Sequence, residues 1–253
     1  DTFFDDKQIF DACCQENTKL TSEQYQRDKS ALIRKKLLYL EGGKIYLKRT
    51  WDYEAAAVNY LADILSNNVT RGVDLPEPLT CGDVTLSSQQ RKAIATALSS
   101  RLSMILGGAG SGKTTLIRAM VKAAPFPRYT VVAAAPTGKA ARNLTERTGI
   151  QARTIHSALG KVPDENFLDP VYWEYVHLVI IDEASMVSLE MLAGILNRVS
   201  KDCRVVLLGD PNQLLAVGAG NVLSDLRELE IPVTYLEQQY RQSESAEALR
   251  YNV

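Results

Sequence analysis

Leu102-Ser103-Met104-Ile105-Leu106 runs directly into Gly107-Gly108-Ala109-Gly110-Ser111-Gly112-Lys113-Thr114. The first five residues read as a buried strand, and a helical pattern follows from Thr115 to about Ala124. Between them lies the spacing G-x-x-x-x-G-K-T. Glycines in that stretch let backbone N–H groups converge on phosphate oxygens without obstruction by side chains. The helix that follows adds the positive end of its dipole. Lys113 supplies a charge for the outer phosphates, and the Thr114 hydroxyl suits Mg²⁺. A glycine turn alone can be structural; the Lys-Thr pair in a strand–helix context points to a phosphate. Gly107, Gly108, Ala109, Gly110, Ser111, Gly112, Lys113, Thr114 and Thr115 are therefore candidate contacts to ATP.

The residues around this turn give it a sheet. Strand candidates are 102–106, 130–135, 177–181, 204–208 and 233–236. Most are short continuous apolar runs, as expected of strands covered on both faces, and helical patterns separate them. The expectation is an α/β unit built on a parallel sheet. His177-Leu178-Val179-Ile180-Ile181 ends in Asp182-Glu183, at the strand edge where such a sheet places its ligands. Asp182, expected on a strand neighbouring the phosphate turn, is the candidate holder of Mg²⁺ through water. Glu183 is the candidate general base for an attacking water. Two surface acids give the same string.

Net charge is −1 over 253 residues, which excludes a uniformly basic nucleic-acid coat. The charge is nonetheless segregated. Residues 107–160 hold 8 Lys and Arg against Glu146 alone, whereas residues 161–253 hold 7 against 15 acids. A near-neutral chain with such a stretch can bind a polyanion locally. Residues 26–50, with 8 basic and 2 acidic residues, read as a solvated helix face, with a nucleic-acid or partner surface as the alternative. Cys13, Cys14, Cys81 and Cys203 form no C-x-x-C, and with only His156 and His177 a zinc cluster is not expected. Isolated thiols suit a reducing cytosol. The acidic start, DTFFDDKQIF, lacks an apolar signal core, and no apolar run approaches the ~18 residues of a membrane span.

Residues 1–65 read as a small, mainly helical unit. Thr21 with Gln24 forms a capping box for a helix to about Lys36. Residues 38–40 and 45–47 flank Glu41-Gly42-Gly43 as a β-hairpin. Asp52 is expected to cap a helix whose apolar positions are 55, 58, 62 and 65. Residues 66–85, with Asn67-Asn68, Gly72, Pro76, Pro78 and Gly82, have the composition of a linker. The expected organisation is an accessory domain with linker over 1–80 and an α/β domain over 81–253.

Further motifs surround the phosphate turn. Leu86-Ser87-Ser88-Gln89-Gln90 opens a helix; Ala135-Pro136-Thr137-Gly138-Lys139-Ala140-Ala141 follows the second strand. Thr154-Ile155-His156-Ser157, Asp182-Glu183-Ala184-Ser185-Met186, Gly209-Asp210-Pro211-Asn212-Gln213-Leu214 with Val217-Gly218, and Tyr240-Arg241-Gln242 complete the set. In this order and spacing, over roughly residues 86–242, the chain resembles superfamily 1 DNA helicases of the RecD group. The resemblance implies a RecA-like P-loop NTPase fold with 5′→3′ translocation. It implies Gln90 as the adenine-sensing amide, and Pro136, Thr137, Gly138, Lys139, Thr154 and His156 as contacts to single-stranded DNA. Gln213 would couple the γ-phosphate to the DNA side, and Arg241 would contact that phosphate. Plain capped turns at 86–90, 136–139 and 154–157 give the same strings, so on residues alone those sites stay open.

Gly43-Lys44-Ile45-Tyr46-Leu47-Lys48-Arg49 and Trp51-Asp52-Tyr53-Glu54 resemble the segment preceding the motor in RecD subunits of exodeoxyribonuclease V. That implies RecB and RecC as partners. A complete motor of this family has a second RecA-like domain, which these residues do not contain, so a fragment with weak activity of its own is expected. A stand-alone or relaxase-linked RecD-like helicase, a superfamily 1 RNA helicase and a nucleotide-binding scaffold share parts of the pattern.

Overall fold

A computed structural model describes residues 3–66, 73–125, 130–161, 170–213 and 220–236. Six strands form an all-parallel sheet: β6 (Leu102–Leu106), β7 (Val131–Ala135), β8 (Ala152–Thr154), β9 (Leu178–Ile181), β10 (Arg204–Gly209) and β11 (Val233–Tyr235). Their order across the sheet is β11-β6-β10-β9-β7-β8. Successive side chains alternate between faces, and two cores follow from that. Met104, Leu106, Val179, Ile181, Val205 and Leu207 pack into one layer. Ile105, Leu178, Ile180, Val206 and Leu208 pack into the other. The second layer is covered by α4 (Ser88–Ser99), α5 (Lys113–Ala123) and α6 (Gly138–Thr148). The first is covered by α8 (Leu189–Leu196) and α9 (Val222–Arg227), with α7 (Ile155–Ala158) at its margin.

The five expected strands lie where the apolar runs placed them. The edge strand β8 was not expected: Ala152-Arg153-Thr154 is short and polar, with too little apolar content to stand out.

Ahead of this unit, β1 (Phe3–Asp5), α1 (Asp6–Glu16), α2 (Ser22–Arg34), β2 (Leu38–Glu41), β3 (Lys44–Leu47) and α3 (Lys48–Ser66) follow in chain order. Thr21 caps α2 through the expected capping box. The expected hairpin is β2–β3, and β1 adds to β3 as a third antiparallel strand. Tyr25 Oη donates to an Asp6 carboxylate oxygen at 2.6 Å and ties α2 to α1. Lys29 pairs with the same carboxylate, and these two partners hold Asp6 below the usual carboxylate range.

Two expectations are corrected here. Asp52 does not cap α3; the helix starts at Lys48, whose ammonium pairs with Asp52 one turn on. The buried face is also out of phase with positions 55, 58, 62 and 65. Val58 is 55% and Leu65 41% exposed, whereas Ala57, Tyr60, Leu61 and Ile64 face the core. A run of alanines at 55–57 fits either phase, so periodicity could not choose between them.

α3 is built into the α/β layer. Ile64, 1% exposed, enters the core with α8. Asp63 pairs with Arg101 at 2.9 Å, and Glu190 of α8 accepts from Tyr53 and Lys161. Of the segment with linker composition, the described part is packed: Leu75, Leu79 and Cys81 are buried, and β4 (Thr80–Cys81) pairs with β5 (Val84–Thr85). Ile64→Ala is expected to destabilise the protein by about 3 kcal/mol through the cavity it leaves. Val58→Ala is expected to change stability by less than about 0.5 kcal/mol. Urea unfolding of the two variants measures both.

Candidate functional site

The phosphate turn and the turns after β9 and β10 sit at the C-terminal ends of their strands. The turn after β6 is held by Gly107, whose N–H donates to the Gly209 carbonyl at the end of β10 at 3.0 Å. Gly110 and Gly112 have φ of +79° and +87°, the left-handed region that side chains disfavour. A Cβ at Gly112 would also lie 2.9 Å from Gln90 Nε2. Gln90 has a structural task already: its Oε1 accepts from Ser87 N–H in the capping box that opens α4. Lys113, the first residue of α5, donates from Nζ to the carbonyls of Gly107 at 2.5 Å and Gly108 at 3.0 Å. The Ser111 hydroxyl is buried with no hydrogen-bond partner among the described residues. The result is a cradle with a lysine folded across it, an unpaired buried hydroxyl and no side chain at its crossing points. A triphosphate chain fits that donor set.

Asp182 and Glu183 follow β9, which is not beside β6. β10 lies between them. The expectation of a neighbouring strand is corrected: inserting β10 leaves room between turn and carboxylates, and it brings the turn after β10 into the middle. Burial and then the Glu183 charge raise the pKa of the Asp182 carboxyl, and a hydrogen bond from the Glu183 backbone with the charges of Lys113 and Arg147 pulls it back only in part. Glu183 has φ +55°, a strained backbone for a residue with a side chain. After β10, buried Asp210 accepts from Asn212 N–H through its carboxylate and from Gln213 N–H through its carbonyl. Gln213 is thereby aimed back at β9, and its Oε1 accepts from Ser185 Oγ at 3.2 Å.

One cleft of about 390 Å³ collects these groups. Thr114, Asp182, Glu183 and Gln213 line it together with Thr137 and Lys139 from the start of α6. Thr137 also caps α6, accepting from Ala140 N–H at 3.2 Å. Gly138 is the first residue of α6 and Pro136 is buried behind it. Thr154 and His156 do not line this cleft; Thr154 caps α7 through Ser157 N–H. Arg241 lies outside the described residues. Asn143 and Arg147 line the cleft as well and were missed. They follow Lys139 at i+4 and i+8, so the helical spacing of α6 carried the signal. Among the described residues no three His, Cys, Asp or Glu side chains form a metal cluster. A divalent cation here would rest on a hydroxyl, a carboxylate, water and phosphate oxygens, the ligand set Mg²⁺ favours.

A parallel α/β sheet with this turn and these carboxylates defines a P-loop nucleotide-binding domain. The chain belongs to the AAA domain family, which matches residues 85–251. Over 221 residues it is 35% identical to the RecBCD enzyme subunit RecD of Mycolicibacterium smegmatis, covering 76% of this chain and 39% of that protein. Over 209 residues it is 34% identical to the ATP-dependent RecD2 DNA helicase of Deinococcus radiodurans, covering 79% of this chain and 28% of that protein. Among solved structures, it resembles Bacteroides sp Pif1 in complex with ADP-AlF4, with TM-score 0.46 and 23% identity over 65% of this chain and 44% of that one. The chain thus spans well under half the length of the curated relatives it matches. No helix of the described residues is long and apolar enough to cross a membrane.

The half-buried Asp182 carboxylate has a consequence for stability. Its folded pKa is raised, so the native state holds this proton more tightly than the unfolded chain does. The resulting cost is absent below the unfolded carboxylate pKa and complete above the folded one. Asp182→Asn is therefore expected to raise the Tm at pH 7, with the gap closing as pH falls through the carboxylate range. Mg²⁺ with nucleotide should stabilise the wild type more than the variant. Differential scanning calorimetry with and without Mg²⁺ checks both.

Proposed function

We propose that this chain is the ATP-hydrolysing part of a RecD-like 5′→3′ DNA helicase that works in a RecBCD-type complex with RecB and RecC subunits. The observation that carries this reading is the shared cleft: Thr114, Asp182, Glu183 and Gln213 line the same hollow as Thr137 and Lys139. The name RecBCD enzyme subunit RecD, carried by a relative, supports the partners, and the resemblance of Asp182-Glu183-Ala184-Ser185-Met186 to the RecD group supports the polarity. ATP would lie along the turn 107–114, with Lys113 leaving the Gly107 and Gly108 carbonyls for the outer phosphates. Thr114 and Asp182 would hold Mg²⁺, which neutralises phosphate charge when bound. Glu183 orients and deprotonates the attacking water, and its fixed backbone limits where its carboxylate can reach. Arg241 would stabilise charge on the outer phosphate.

On the DNA side, the first turn of α6 presents backbone N–H groups, the Thr137 hydroxyl and the Lys139 charge to phosphates. Thr154 and His156 would extend that contact along the end of β8. Gln213 spans the two halves. It leaves Ser185 for the outer phosphate when ATP binds, and its return reports hydrolysis to the turn at Thr137. Gln90 would read the adenine edge from beneath the turn.

The test separates binding from turnover. Lys113→Ala is expected to weaken binding of a fluorescent ATP analogue at least tenfold. Glu183→Gln is expected to retain that binding and to lower DNA-stimulated hydrolysis by the intact protein about 100-fold or more, the scale of a lost general base. Unchanged nucleotide binding by Lys113→Ala would refute the reading.

A further inference from the structure

The surplus of positive charge over residues 107–160 is only partly used by the cleft. Lys139 and Arg147 line it, and Lys113 acts on its Asp182 from the adjoining turn. Arg118, Lys122 and Arg153 do not. They line a different hollow of about 680 Å³, with Val131 at its floor. Val131 is the first residue of β7, so this hollow lies towards the N-terminal ends of the strands, away from the phosphate turn. Arg118 and Lys122 are exposed one turn apart on α5. A second hollow of about 340 Å³ continues from it around the β8 edge. The two share Val131, Gln151 and Arg153, and the second ends on Tyr172 and Tyr175.

Two features set this groove apart from an ordinary basic surface. Its lining contains no carboxylate among the described residues. Its far end carries two tyrosines that are 62% and 63% exposed, and neither ring stacks on another described aromatic ring. Three cations followed by two open ring faces match a strand whose phosphates need charge and whose unpaired bases need a stacking surface. A duplex would offer no free base faces. An acidic peptide would meet the cations and leave the rings unused.

We propose that this groove is a second binding site for single-stranded nucleic acid, towards the N-terminal ends of the strands and so at the opposite end of the sheet from the nucleotide cleft. Arg118, Lys122 and Arg153 hold phosphates, and Tyr172 and Tyr175 stack on bases. The site does not require the function proposed above, because no residue of the cleft takes part.

The test is a site-specific cross-link. With Tyr172→p-benzoylphenylalanine in the full chain, illumination in the presence of a labelled oligothymidine of about 15 nucleotides should give a protein–DNA adduct, since site sizes of this type run to ~16 nucleotides. Adding Arg118→Gln and Lys122→Gln should lower the yield at least fivefold. Those two substitutions alone should reduce the slope of log affinity against log salt by about 1.4, at ~0.7 per phosphate contact. Both positions are exposed, so an unchanged Tm confirms that the fold survives. The proposal is overturned if no adduct forms, if the charge substitutions leave its yield intact, or if duplex DNA or polyglutamate competes as well as the oligothymidine. Binding of a fluorescent ATP analogue, measured alongside, reports on the nucleotide cleft independently.

Discussion

The packing of β10 between β6 and β9 is the constraint on which the rest of the site depends. All three strands are buried on both faces, so their interiors hold aliphatic side chains almost without exception. Polar chemistry is admitted only where the strands end. The Gly107 N–H that bonds to Gly209 locks the phosphate turn to the end of β10. Two strands further on, Asp182 N–H bonds to Ala134 at the end of β7. The ladder therefore fixes turn, amide and carboxylates in one row, and the cleft inherits its rigidity from backbone pairing rather than from side chains.

That row is built with stored strain. Gly110 and Gly112 take left-handed backbone at no steric cost, whereas Glu183 takes it as a residue with a side chain. Asp182 is held half-buried, and that burial raises its pKa. Both costs, of order 1–3 kcal/mol for such backbone, are borne by the two apolar layers. α3 contributes to one of them, because Ile64 and its neighbours close the core over α8. α3 thus supports the site through packing.

Much of this was legible in the sequence, for identifiable reasons. The strands after which function sits are continuous aliphatic runs, and Gly-Lys-Thr after such a run has few other uses. Thr21 announced its helix through a capping box and Ser87 through a capped start, which the structure shows is also a capping box. What escaped depended on tertiary context. The phase of α3 was hidden by three consecutive alanines; Asp52 looked like a cap but is a partner of Lys48. β8 exists because β7 offers an edge, not because Ala152-Arg153-Thr154 prefers a strand. The strand order, which places β10 between turn and acids, is not written in any local pattern. Arg147 reaches the cleft by helical spacing that only a known orientation of α6 makes meaningful.

The proposed function requires one cleft to couple a nucleotide to single-stranded DNA through Gln213. The affinity of the chain for a short oligothymidine, measured by fluorescence anisotropy with and without a saturating non-hydrolysable ATP analogue and Mg²⁺, tests it most directly. Coupling requires the affinity to shift by about 5-fold or more, and the oligothymidine to shift analogue affinity by the same factor. Gln213→Ala should abolish the shift while leaving both ligands able to bind. Affinities that are independent of one another in the wild-type chain would contradict the claim.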